Sequence, residues 1–133
     1  MTAPLPALAS VIVVAAALIG GSSAAQAGAY EDCVTAGAPT AVMQCLATAE
    51  KQANAELAAV ESSLAEKALA VERATGTSGI HAALARAVKD FATYRASHCA
   101  YVRALAVREP VAEQAAAACR VDLTRRRVRD LRP

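Results

Sequence analysis

The sequence predicts an all-α protein, a small antiparallel bundle of about three helices carrying two disulfides. Three observations predict it. From Ala41 to Arg73 there is neither Gly nor Pro, and Ala, Glu, Leu and Lys dominate. Beyond that run the helical pattern is broken at only two places, around Gly76 and around Pro110. The chain also carries 4 cysteines, an even count that reads as a disulfide framework if the protein is exported.

The first helix is expected from Ala41 to Arg73, entered through the loop Gly37-Ala38-Pro39-Thr40. Its apolar positions, Val42, Leu46, Ala53, Leu57, Val60, Leu64 and Val71, recur in steps that keep one face toward a partner helix. Two glycines among hydroxyls, Thr75-Gly76-Thr77-Ser78-Gly79, then mark an exposed turn. The second helix runs from about Ile80 to Val107. Its stripe reads Leu84, Val88, Phe91, then Arg95 and His98, then Val102 and Leu105, which puts two polar side chains where the spacing predicts burial. Glu109-Pro110 opens a third helix reaching Leu131, since Pro is tolerated where its missing N–H would be unpaired anyway. Ala112, Ala116, Cys119 and Leu123 are its expected inner face, small enough to let it approach helix two closely. Strand-like alternation is absent.

The first 27 residues hold none of the 14 Lys+Arg or 12 Asp+Glu. That composition break is a processing boundary. Val11 to Ile19 has the length of a signal-peptide core, and Ala25-Gln26-Ala27 supplies the small residues of a cleavage site, so residues 1–27 are expected to be a cleavable signal peptide and residues 28–133 the mature domain. The apolar run is shorter than the roughly 20 residues of a spanning helix, and no stable membrane anchor is expected after processing. No Lys or Arg precedes Val11, which leaves the true start codon open. The expected location is periplasmic or secreted.

Four cysteines allow three pairings, and hairpin geometry supplies a preference. Cys99 lies ten residues before Glu109 and Cys119 ten after it, so in an antiparallel pair they sit level. Cys33 with Cys45 remains, closing the entry loop onto helix one.

The segment Phe91-Ala92-Thr93-Tyr94-Arg95-Ala96-Ser97-His98-Cys99 resembles the aromatic-x-x-Tyr-Arg-x-x-x-Cys signature of the LprI-type lysozyme-inhibitor family. Downstream, Cys119, Thr124, Arg127 and Leu131 are similar in spacing to that family's closing motif. Upstream, Cys45 followed by Glu50, Ala53, Asn54 and Leu57 resembles its Asp-x-x-Leu-Asn-x-x-Tyr helix. The three matches occur in the family's order. The sequence departs from the pattern at Phe91, where Trp is usual, Val88, where Gln is usual, Leu57, where Tyr is usual, and Glu50, which replaces Asp. The resemblance implies an exported helical domain that binds and blocks lysozyme by protein–protein contact and is not an enzyme. The alternative is an envelope interaction or structural module with no lysozyme target.

Arg95, a guanidinium on an apolar stripe, needs carboxylates or carbonyls to offset its desolvation, and counting from the turn places it near the level of Glu56 to Glu61. Its expected role is a structural clamp. His98 beside Cys99 suggests a Cys/His nucleophile, but a disulfide leaves no thiol for that chemistry. His-Glu-x-x-His, Cys-x-x-Cys, haem-attachment and phosphate-loop motifs are all absent, so no catalytic residue, cofactor or metal is expected. A net charge of +2 and four scattered aromatics give no case for nucleic acid.

Glu50, Glu61 and Glu72, spaced by eleven, fall on one side of helix one as an acidic ridge. From Glu50 to Arg73 the charge is −2, and from Arg120 to Arg132 it is +4. The ridge and the turn residues Thr75, Thr77 and Ser78 are the candidate partner contacts, the ridge by steering a cationic lysozyme and the turn by entering its saccharide cleft. The alanine-rich apolar face leaves the oligomeric state open.

Overall fold

Four α-helices follow one another along residues 28–132, the part of the chain that the computed structural model describes. The signal-peptide expectation concerns residues 1–27 and lies outside the described residues. The helices are α1 (Ala29–Val34), α2 (Pro39–Thr75), α3 (Ile80–Leu105) and α4 (Val111–Leu131), with no strand among the described residues. The three long ones match the sequence expectation to within two or three residues at each end. Helix α1 is the correction: at 6 residues it makes fewer than two turns, too short to display a periodicity. It persists because tertiary contacts hold it. Ala29 and Cys33 are buried, and the N–H of Ala29 donates to Asp122 Oδ1 of α4 at 2.9 Å.

Helix α2 begins at Pro39 and stops where Gly76, at φ 70°, turns left-handed and returns its N–H to the Glu72 carbonyl. Gly79, at φ 92°, precedes α3. The Glu72 carboxylate spans the turn and accepts the His81 N–H at 3.0 Å, satisfying one of the unpaired donors at the start of α3. Arg103 closes the other turn, reaching Glu109 and Glu113.

The core sits where α1, α2 and α4 meet. Its fully buried side chains are Leu46, Val121, Thr124 and Cys33, surrounded by Ala29, Ala53, Ala117 and Ala118. Alanines bury little apolar area, so this core supplies only modest hydrophobic stabilisation and other forces must add to it. Two disulfides do so. Cys33–Cys45 ties α1 to α2 and Cys99–Cys119 ties α3 to α4, each with Cα atoms 5.6 Å apart.

Helix α2 is much the longest. Its 37 residues span about 55 Å. Leu131, the last residue of α4, shares a crevice with Val60 and Leu64, so α2 beyond that level packs only against α3. This explains where the apolar stripes depart from expectation. Val71 is 46% exposed and Leu105 61%, because the first lies on the two-helix extension and the second at a turn. On α4 the inner face is broader than four residues, adding Gln114, Ala117, Ala118, Val121, Thr124 and Val128, because α4 is gripped by α2 and α3 on different sides.

Candidate functional site

Arginines of α4 join it to the rest of the bundle. Arg120 meets Glu50 of α2 through two parallel bonds, at 2.8 and 3.1 Å. Arg125 meets Asp32 of α1 at 2.9 Å, and Arg132 meets Glu56 of α2. The planar guanidinium suits such forked contacts, which a lysine would make only as a point charge.

One turn above the Glu50–Arg120 pair, Arg95 reaches inward from α3. Its Nη1 donates to Asn54 Oδ1 at 2.8 Å and to Thr124 Oγ1 at 2.6 Å, so one side chain holds three helices. Thr124 is fully buried, and its hydroxyl proton goes to the Arg120 carbonyl at 2.7 Å, so the hydroxyl both donates and accepts. Phe91 lies under two guanidinium groups, with Arg127 5.4 Å and Arg95 5.8 Å from the ring centre, a cation–π geometry. Glu61 completes the cluster. Burial pushes its carboxyl above the ordinary range, and the nearby charges of Arg127 and Arg95 pull it back only in part. Glu61 Oε1 and Arg127 Nε are both buried without a hydrogen-bond partner, which marks this as the least satisfied spot in the seam.

These contacts relocate the acidic ridge. Glu50, Glu61 and Glu72 do share a side of α2, but that side faces inward: Glu50 pairs with Arg120, Glu61 lies among arginines, and Glu72 holds the amide of His81. Two ion pairs, Glu50–Arg120 and Glu56–Arg132, set the opposite charges of the α2 and α4 segments against each other. Thr75, Thr77 and Ser78 are exposed, as a contact residue must be. The Thr75 hydroxyl donates to the Val71 carbonyl and accepts from the Thr77 hydroxyl, which orders the turn locally. Among the described residues there is no free cysteine, so Cys99 is no nucleophile, and His98 stacks on Tyr94 at 5.4 Å. The described residues contain no group of three or more metal-ligating side chains, and no helix among them is long and apolar enough to cross a membrane.

The residues that carry the three sequence motifs thus converge. Asn54, Phe91, Arg95, Thr124 and Arg127 form one cluster, Glu50 lies a turn away, Leu131 caps the crevice beside Leu64, and Tyr94 stands 51% exposed outside it. A family model described as lysozyme inhibitor LprI matches residues 30–131. The chain belongs to the LprI family. Its match begins in α1 and ends on the last residue of α4, so the LprI domain includes both disulfides and the seam from Arg95 to Arg127. No curated protein and no solved structure matches. LprI is a family of inhibitors, and paired cysteines in such a domain fit an oxidising compartment outside the cytoplasm.

Sequence reasoning missed the Arg120–Glu50 and Arg125–Asp32 pairs. The signal was present: α2 and α4 run parallel, and an offset of 70 residues matches Glu50 to Arg120. The same offset matches Asn54 to Thr124, the two residues that share Arg95.

The raised Glu61 pKa sets a direction for a variant. An acid whose folded-state pKa lies above its unfolded value favours the fold at pH below the unfolded value, and that contribution is lost as pH rises through the folded one. A Glu61→Gln protein should therefore melt no lower than the parent at pH 7 and show a flatter stability profile from about pH 4.5 upward. Thermal melts across that range check this, and a marked loss at pH 7 would mean that ion pairing with Arg127 outweighs desolvation.

Proposed function

We propose that this chain is an exported lysozyme inhibitor that binds and blocks a muramidase in the periplasm or outside the cell. The observation that carries the reading is the LprI match across nearly all of the described chain. The architecture supports a binding mode. The Gly76–Gly79 turn ends a two-helix extension, with Thr75, Thr77 and Ser78 exposed and open space around both glycines. A turn is narrower than a helix and suits a saccharide cleft. With Glu50, Glu61 and Glu72 turned inward and a net charge of +2, attraction of a cationic enzyme by this chain is weak, and shape complementarity carries the contact.

A second reading, an envelope interaction module with no muramidase target, draws on a groove between α1, α3 and α4 where Tyr30, Tyr94, His98, Val102 and Leu123 meet. Tyrosine-rich patches of this kind are common at protein interfaces.

The test is the clearing of cell walls by chicken-type, goose-type and invertebrate-type lysozymes with purified, oxidised protein added. Stoichiometric loss of clearing against one of them is expected. Ser78→Trp should weaken that inhibition roughly 10-fold or more, as loss of a central contact does, while the melting temperature holds. Full clearing with every lysozyme type removes the inhibitor reading and leaves the second one.

A further inference from the structure

Two carboxylates converge on Gly28, the residue that directly follows the expected cleavage site. A β-carbon at Gly28 would lie 2.6 Å from Glu31 Oε2 and 3.2 Å from Asp122 Oδ2. The adjacent amide, from Ala29, already donates to the other oxygen of Asp122. Neither Glu31 nor Asp122 belongs to an ion pair among the described residues, whereas neighbouring Asp32 is held by Arg125. Two carboxylates beside one residue, with no cation partnering either, leave a place for a positive charge.

Processing supplies the cation. In the precursor the nitrogen of Gly28 is a neutral amide. When signal peptidase cleaves after Ala27, water adds across the bond: its hydroxyl goes to the Ala27 carbonyl carbon, which leaves as a carboxylate, and the Gly28 nitrogen takes up protons to become an ammonium. We propose that removal of the signal peptide creates an N-terminal ammonium at Gly28 that pairs with Glu31 and Asp122 and locks α1 onto α4, so that the domain reaches full stability only after processing.

The lock has a cost and an offset. A positive charge at a helix N-terminus opposes the helix dipole, but α1 has only 6 residues and two carboxylates lie within reach. The charged and titratable groups around the site are Glu31 and Asp32 from α1, Asp122, Arg125 and Arg126 from α4, and Tyr94 and His98 from α3 on the shared groove. Asp32 and Arg125 neutralise each other, so the acids outnumber the one remaining arginine. Glycine also lets both carboxylates close in, though the Glu31 side chain can swing aside for a larger residue.

An α-amine ordinarily titrates near 8, and facing carboxylates raise that value. Stability from a raised amine is complete below the ordinary value and lost as pH climbs through the folded one. The experiment compares three oxidised proteins: one beginning at Gly28 with a free amine, the same chain acetylated on Gly28, and one retaining Ala25-Gln26-Ala27. At pH 6.5 the free-amine form should melt about 4–8 °C above the other two, the shift that one good charge pair gives a domain of this size. The gap should close by about pH 9.5 and in an Asp122→Asn background, where an oxygen still accepts from Ala29. A nuclear magnetic resonance titration of Gly28 should place its amine above about 8. Equal melting of the three forms, an unshifted amine, or exported protein whose mass shows cleavage elsewhere overturns the proposal. The idea rests on the export part of the functional reading alone, so the clearing assay can fail while this one succeeds, and the reverse.

Discussion

An Arg95→Ala protein should melt about 15 °C below the parent. The side chain bonds Asn54 on α2 and Thr124 on α4 from its own place on α3, so its loss releases three helices at one point. Losing two part-buried, charge-assisted hydrogen bonds costs about 3 kcal/mol, because Asn54 and Thr124 keep their desolvation and lose their partner. For a domain of this size each kcal/mol moves the midpoint by about 4–8 °C. Arg95→Lys should recover only part of the loss, since an ammonium lacks the planar fork that reaches both partners. Melting followed by circular dichroism on oxidised protein checks both. Normal melting together with lost lysozyme inhibition would make Arg95 a contact residue and refute the clamp.

Removal of both disulfides should abolish the cooperative melt at 37 °C. The bridges close separations of 12 and 20 residues, each contributing about 3 kcal/mol in the chain-entropy model. Together that approaches the whole stability of a domain whose core is built largely of alanine. The Cys33→Ser, Cys45→Ser, Cys99→Ser and Cys119→Ser protein should keep helical signal in the long α2 yet lose its sharp transition, and each single pair removed should give an intermediate midpoint. A quadruple variant that still melts cooperatively within a few degrees of the parent would show that the arginine seam suffices.

The long helices were legible because apolar spacing and glycine turns are local signals. The Ala41–Arg73 run lacks any residue that breaks a helix, and Gly76 and Gly79 take the left-handed conformations that only glycine adopts freely. Level spacing about Glu109 marked Cys99 and Cys119 in the same way. Helix α1 was not legible, since 6 residues are too few to show a period and its hold on α4 comes from Asp122, 93 residues from Ala29. The inward direction of Glu50, Glu61 and Glu72 was hidden for a related reason: a row of acids looks solvent-facing until the arginines that oppose it are placed, and those lie some 70 residues downstream. Arg95 fell between these cases. Its place on an apolar stripe announced a buried clamp, but the partners that the hairpin count put at Glu56 to Glu61 are chiefly Asn54 and Thr124, because α4 enters the same seam.

Helix α2 outruns α4 by roughly three turns. Near the sulfur bridges every helix is braced from two directions, whereas past Leu131 only two rods face each other. Flexing costs less where fewer surfaces must slide, so the molecule is a stiff base bearing a pliant stalk. A partner that grasps the free end can settle its angle of approach there and leave the base undisturbed.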